Sequence, residues 1–312
     1  MKRISYFDGH CDTIYRCLHT GQELRENDGH VDLQRSRGFE HYVQVFALFS
    51  SLNDAPAPEL PEELEKLHET YRRELEKNSD WIVHCRNAVE IRQAKQKGKS
   101  SALLSIEGGE LLGCDPQKIE VAQAWGVQWI NPTWNYANAL SGSHSAQPRR
   151  GLSDVGREFV RTAQQAGILI DVSHLSPKGF WDLVDITERP IIASHSNSRA
   201  VFPHSRGLDD DQFRSIAASG GAVGMNFYGD FIGREPDMNS LIDHIEHYLS
   251  MNGEKTVALG GDLDGCDVTF PGMEGIQSVP KLWKALEARG YPRTLLEDIF
   301  YRNWMRVIRQ TG

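Results

Sequence analysis

The chain has 312 residues, with 34 lysines and arginines against 43 aspartates and glutamates, a formal net charge of −9. Hydrophobic and charged fractions of 39% and 25% are those of a soluble globular protein, long enough to bury one large core. An acidic balance without a basic block excludes nucleic acid as the expected partner, because phosphates call for clustered lysine and arginine.

No stretch approaches the about 18 apolar residues of a spanning helix. Neither a signal-peptide pattern nor a lipid-anchor tail is present, so no membrane partner is expected. The five cysteines, Cys11, Cys17, Cys85, Cys114 and Cys266, are odd in number and lack CxxC spacing. They read as reduced thiols of a cytoplasmic protein.

Eight short apolar runs follow one another: Ile4–Asp8, Tyr42–Phe49, Ala102–Ile106, Val127–Asn131, Ile168–Val172, Ile191–Ser194, Ala222–Phe227 and Thr256–Gly260. Several are apolar on both faces, as parallel strands covered by helices must be. Helical patterns lie between them at Pro116–Trp125, Val155–Ala166, Pro177–Ile186 and Asp209–Ala218, with Asp154 and Ser176 as expected N-caps. Strand and helix alternating eight times predict an α/β fold, a (β/α)8 TIM-like barrel. A doubly wound sheet would place a glycine-rich phosphate loop after the first strand, and Asp8-Gly9-His10-Cys11-Asp12 is no such loop.

After the second strand, residues 51–100 form an inserted excursion: Ala55-Pro56-Ala57-Pro58, a charged amphipathic helix over Glu62–Lys77, then a helical or β-rich piece around Trp81–Ala94. It has too few apolar residues for a core of its own, so 1–312 is expected to be one domain.

The polar residues at the strand ends carry the chemistry. His10 and Asp12 follow the first strand, Glu107 the third, His174 the fifth, His195 the sixth and Asp262 the eighth. The C-terminal ends of barrel strands converge on the catalytic face. Three histidines and three carboxylates there exceed the needs of one zinc and suit two divalent metals sharing a bridging carboxylate and a bridging water. His10 and Asp12, two apart on an extended strand, grip one metal; His174 and His195, from adjacent strands, hold the other. No lysine lies in any run, so Glu107 is the expected bridge, and Asp262 completes the first metal and holds the water. Asp264 competes with Asp262 but lies farther from the strand. His19, His30, His41, His68, His84, His244 and His247 lie away from strand ends and are expected on the surface, His144 is expected to be solvated, with reach from its loop to the site as the alternative, and Asp8 is expected to orient or pack.

In sequence the motifs resemble the membrane (renal) dipeptidase family of dinuclear zinc peptidases, in the manner of its bacterial members. They are Asp8-Gly9-His10-Cys11-Asp12, Ile106-Glu107-Gly108-Gly109, Gly151–Glu158, the stretch Gly167–Val201 with Asp171-Val172-Ser173-His174 and Ser194-His195-Ser196, Gly224-Met225-Asn226-Phe227-Tyr228, Gly260–Gly265 and Asn303–Val307. The resemblance covers essentially the whole chain and implies a metal-dependent hydrolase barrel, two zinc ions, dipeptide hydrolysis, tolerance of a D-residue at the C-terminal position, and a homodimer. It assigns His10, Asp12 and Asp262 to one zinc, His174 and His195 to the other, Glu107 to the bridge, and Arg206 to the substrate carboxylate. The chain departs from the animal members at Thr133-Trp134-Asn135, where they carry Thr-His-Asn with the histidine on the scissile carbonyl. Trp134 donates one hydrogen bond and neither titrates nor accepts. Trp134, Asn135 and Tyr228 join Arg206 as substrate-side candidates.

The expected activity is therefore that of a metallodipeptidase in which a metal-bridging hydroxide attacks the peptide carbonyl and Asp262 carries the proton. The same face also suits hydrolysis of an N-acyl amino acid, a lactone or a phosphoester. A metal-binding barrel without turnover is the rival from another class, resting on Trp134 alone.

Overall fold

A computed structural model describes residues 3–311. Nine strands, numbered in chain order, form one parallel sheet: β1 (Ser5–Cys11), β2 (His41–Phe49), β3 (Ile82–His84), β4 (Ser100–Glu107), β5 (Val127–Asn131), β6 (Leu169–Asp171), β7 (Ile191–Ile192), β8 (Val223–Met225) and β9 (Val257–Leu259). Their order is β7-β6-β5-β4-β2-β1-β9-β8, with β3 paired to the start of β4. A parallel bridge between Ala193 and Val223, with Gly224 N donating to Ala193 O at 2.8 Å, closes β7 onto β8. Eight of the strands thus make the barrel, and each coincides with one of the eight apolar runs.

Side-chain alternation separates two cores. Phe7, Val43, Val45, Leu103, Trp129, Leu169, Ile192, Ala222 and Ala258 fill the barrel interior. The opposite faces, among them Tyr6, Tyr42, Phe46, Leu104, Ile106, Ile130 and Ile170, pack under the helices. The last helix, Asn303–Ile308, sends Trp304 into the interior cluster, where its indole N–H donates to Leu259 O at 2.7 Å. A Cβ on Gly9 would lie 2.6 Å from that indole, so this strand position has room only for hydrogen.

The excursion is the helix Leu60–Lys77, the short β3, and the helix Ala88–Gln96 capped by Asn87. Leu60, Leu64, Leu67 and Tyr71 belong to the same buried cluster as the outer faces of the strands. Of the two expected N-caps, one differs. Asp154 is the first residue of its helix, Asp154–Gln165, and the cap is Ser153, whose Oγ accepts from Gly156 N at 3.0 Å. Ser176 caps Pro177–Val184 as expected. The five cysteines are all buried and free, and no helix among the described residues is long and apolar enough to cross a membrane.

Candidate metal centre

The strand ends bring six side chains to one point. Parity alone delivers Glu107, two residues on from Ser105 and four from the inward Leu103 on β4. His10 arrives differently. The pairing of β1 with β2 shifts register between Asp8 and Cys11, so Phe7 faces inward while Cys11 packs in the outer cluster. That irregularity turns His10 and Asp12 toward the axis. Asp8, fully buried, steadies it by accepting from His10 N at 3.1 Å and Gly261 N at 2.8 Å.

Two groups meet across one carboxylate. His10 Nε2 lies 3.3 Å from Asp12 Oδ2, 3.8 Å from Asp262 Oδ1 and 3.4 Å from Glu107 Oε2. Glu107 Oε1 faces the other way, 2.9 Å from His174 Nε2 and 3.4 Å from His195 Nε2. Those two imidazole nitrogens are 3.1 Å apart. His174 and Asp262 hold left-handed backbone, φ 71° and 56°, a costly conformation for residues other than glycine and one concentrated at functional sites.

The electrostatics are those of an over-full donor set. Burial pushes the Glu107 carboxyl up to about 7 and raises Asp12. Burial opposes charging His10, but Glu107 and Asp12 override it and hold the imidazole well above its usual range. His174 and His195 are held well below theirs, first by burial, with the Arg206 guanidinium adding to it.

This donor set fits divalent metal. Four ligands at zinc distances in a tetrahedron lie about 3.3 Å apart, close to the separations within each group. His10 Nε2, Asp12 Oδ1 and Glu107 Oε1 are buried without a hydrogen-bond partner, orphans that ligation would satisfy. His174 Nδ1 donates to Asn135 Oδ1 at 2.8 Å, which leaves its Nε2 a bare lone pair directed at Glu107 and His195. Lone pairs so close repel unless a cation lies among them. The groups His10, Asp12, Asp262 and His10, Glu107, His195 each converge tightly enough to hold an ion.

The other candidates surround this centre. Arg206 is buried, donating from Nη1 to Ser196 Oγ at 3.2 Å and from Nη2 to His195 O at 3.1 Å, while its Nε has no partner. The Trp134 ring packs 4.9 Å from Phe49 and 5.1 Å from Tyr136, and 6.2 Å from His174. Tyr228 is farther out, its hydroxyl on Asp230 Oδ2 at 3.2 Å. Asn135 Oδ1 lies 2.8 Å from His174 Nδ1. Asp264 is engaged elsewhere, accepting from Thr13 Oγ1 at 2.7 Å and His30 N at 2.6 Å.

Several histidines depart from expectation. His41 and His244 are buried, not superficial. His41 sits at the start of β2 between Tyr301 and Ser101, and His244 bridges Ser198 N and Ile232 O. His30 is partly buried against Asp264. His144 is half-buried, its ring 5.8 Å from that of His174. Each carries partners from distant sequence that no local pattern foretells. Sequence reasoning also gave no role to Asn226, whose Nδ2 donates to Asp262 Oδ2 at 2.8 Å, or to Ser194, whose Oγ meets His195 Nδ1 at 2.6 Å. Their signal was proximity to a strand end and membership of the motifs Ser194-His195-Ser196 and Gly224–Tyr228.

The family model of the membrane dipeptidases, peptidase family M19, matches residues 1–312. An uncharacterised dipeptidase of Schizosaccharomyces pombe is 30% identical over 302 residues, covering 90% of this chain and 72% of its own. An uncharacterised protein from the pqqA 5′ region of Klebsiella pneumoniae is 33% identical over 238 residues, covering 72% and 87%. Among solved structures, a Rhodobacter sphaeroides metallopeptidase liganded with a phosphinate mimic of the dipeptide L-Ala-D-Ala superposes with TM-score 0.91 at 25% identity, covering 100% of both chains. The dipeptidase AC, a metallopeptidase of family M19, gives 0.91 at 26% identity and 99% coverage of both.

Proposed function

The chain belongs to the membrane dipeptidase family and is a metallodipeptidase; from that premise we propose that it hydrolyses dipeptides with two zinc ions and tolerates a D-residue at the C-terminal position. The observation that carries the reading is the split of Glu107, one oxygen toward His10, which Asp12 and Asp262 also face, and the other toward His174 and His195. His10, Asp12 and Asp262 would hold one ion and His174 and His195 the other, with Glu107 shared between them. The L-Ala-D-Ala mimic held by the Rhodobacter sphaeroides metallopeptidase supports the stereochemical part.

Bound there, zinc would supply Lewis-acid polarisation of the peptide carbonyl and would acidify a water. Asp262, with Oδ2 fixed by Asn226, is the carboxylate placed to carry a proton from the attacking side to the leaving amine. Arg206 pairs with the free carboxylate of the substrate, its Nε having no partner within the described protein. Holding the terminal carboxylate there restricts the enzyme to short peptides. Trp134 supplies an apolar wall beside the reacting bond, Tyr228 lines the outer edge of the site, and Asn135 contributes by orienting His174. The protein acts in the cytoplasm as a homodimer.

The test is metal analysis of the purified protein with hydrolysis of a dipeptide panel that includes L,D pairs. About two zinc ions per chain and dipeptide cleavage abolished by a chelator is the expected result. Cleavage confined to N-acyl amino acids, lactones or phosphoesters would overturn the substrate assignment, and a reconstituted protein without metal would overturn the mechanism.

A further inference from the structure

We propose that His144 is a positioning residue of the metal centre: through Asn135 it selects the nitrogen that His174 leaves bare, and through Ser205 it ties that ligand to the loop carrying Arg206. The proposal rests on the metal-site reading above.

His144 lies on a connecting loop, not at a strand end. An antiparallel bridge between Ser143 and Leu175 holds the loop against the segment of His174, and His144 N donates to His174 O at 2.8 Å. Ser143 Oγ and Ser145 Oγ both donate to Asn135 O, at 2.7 and 2.5 Å. Asn135 is thereby clamped between the loop and the centre.

Its side-chain oxygen is the junction. His174 Nδ1 and His144 Nε2 each lie 2.8 Å from Asn135 Oδ1. An amide oxygen only accepts, so both nitrogens carry hydrogen. His174 then presents a lone pair at Nε2, 2.9 Å from Glu107 Oε1. His144 Nδ1 is left an acceptor and takes the hydroxyl of Ser205 at 2.9 Å. Without the second donor, nothing holds the Asn135 amide against a half-turn that offers NH2 to His174. That turn favours the other tautomer, with a proton where the metal binds. Partners of this kind behind a ligand imidazole set its tautomer and strengthen its bond.

The far end of the relay meets the substrate side. Ser205 precedes Arg206, whose guanidinium reaches His195 O and Ser196 Oγ. One loop therefore grips both histidines of the second metal group, His174 through Asn135 and His144, and His195 through Arg206. Seating Arg206 and seating the metal are mechanically joined.

The experiment compares His144→Phe, which keeps the ring and deletes both nitrogens, with His144→Gln, which keeps a donor. Zinc affinity is read on folded, metal-depleted protein by competition with a chromophoric chelator. In His144→Phe one of the two zinc ions is expected to bind about 10–100-fold more weakly, with the other unchanged and His144→Gln within a few-fold of wild type. Wild-type affinity for both ions in folded His144→Phe, or equal losses in the two variants, overturns the proposal. Nitrogen-15 NMR of the metal-free wild type needs no variant: His174 is expected as the Nδ1–H tautomer, and the Nε2–H form overturns the relay. Ser205→Ala is expected to raise KM for dipeptides at unchanged zinc affinity, and an unchanged KM removes the link to Arg206. A wild type that binds zinc but cleaves no dipeptide would sink the dipeptidase reading while leaving the affinity and tautomer measurements decisive.

Discussion

Asn226 Nδ2 donates to Asp262 Oδ2 across 2.8 Å, while Oδ1 of the same carboxylate faces His10 Nε2 at 3.8 Å. The amide thus leaves Asp262 one oxygen for metal and fixes the direction of the other. Asn226 is fully buried, and its own Oδ1 accepts from Tyr228 N at 2.7 Å.

Asn226→Leu keeps the branched shape and deletes these bonds, together with the longer one from Nδ2 to His195 O at 3.5 Å. Activity is expected to fall about 10–100-fold in kcat with KM and metal content little changed. The unsatisfied neighbours should cost about 1–3 kcal/mol of stability. A loss appearing in KM alone would assign Asn226 to substrate contact instead.

The eight strands were legible because each is buried on both faces and ends in polar residues, which is what a barrel needs wherever its helices lie. Glu107 followed from the same alternation. His10 did not follow so simply, since it faces the centre only because β1 slips register beyond Asp8, a slip of which Gly9 is the one local sign. Asn226 and His144 were illegible for another reason. Their meaning lies in side-chain contacts, of Asn226 with Asp262 and of His144 with Asn135 and Ser205. His41 illustrates the limit from the other side: position relative to a strand end does not tell burial, which depends on what the C-terminal segment brings against it.

Glu107→Gln replaces one acceptor oxygen by a donor and cannot serve both groups. The metal content of the purified variant is expected to fall from about two per chain to one or none, whereas Asp12→Asn should lose only one. Full occupancy in Glu107→Gln, measured by atomic absorption after dialysis, would refute the bridging role.

Arg206→Ala removes the buried guanidinium. For dipeptides with a free carboxylate, transition-state binding should weaken by about 2–5 kcal/mol, roughly 30-fold or more in kcat/KM. C-terminally amidated dipeptides, poor substrates at the outset, should be affected far less. Equal losses on both kinds of substrate would mean that Arg206 acts through His195 O and not on the carboxylate.

Gly260 gives β9 its close approach to the segment that bears His195. A Cβ there would lie 1.7 Å from Ser194 O, a backbone atom. Gly260→Ala should therefore destabilise by about 1–3 kcal/mol or more and displace His195, lowering metal affinity. Gly21→Ala is the control: that residue has φ 70° but nothing within 4 Å of an added Cβ, so only backbone strain of about 1–2 kcal/mol is expected and metal affinity should not change. Equal effects of the two substitutions on metal binding would contradict the packing argument.

His41 makes stability depend on pH at the opposite end of the barrel from the metals. Burial, with a smaller contribution from Lys95, pushes its imidazole down to about 3, and its nitrogens meet Tyr301 OH at 2.9 Å and Ser101 Oγ at 3.2 Å. In the unfolded chain the same group titrates near about 6.5. The folded value is the lower one, so below about pH 6.5 the unfolded chain takes up a proton that the folded chain refuses. Stability from this group is complete above that pH and is lost progressively as the pH falls toward 3. Between pH 7 and pH 5 the loss is on the order of 2 kcal/mol. His41→Gln keeps polar contacts but cannot titrate, so it should be less stable than wild type at pH 7 and nearly level with it at pH 5. Urea unfolding of both proteins, with identical metal loading, measures the gap at each pH. A gap that stays constant would show that His41 already carries its proton in the folded protein.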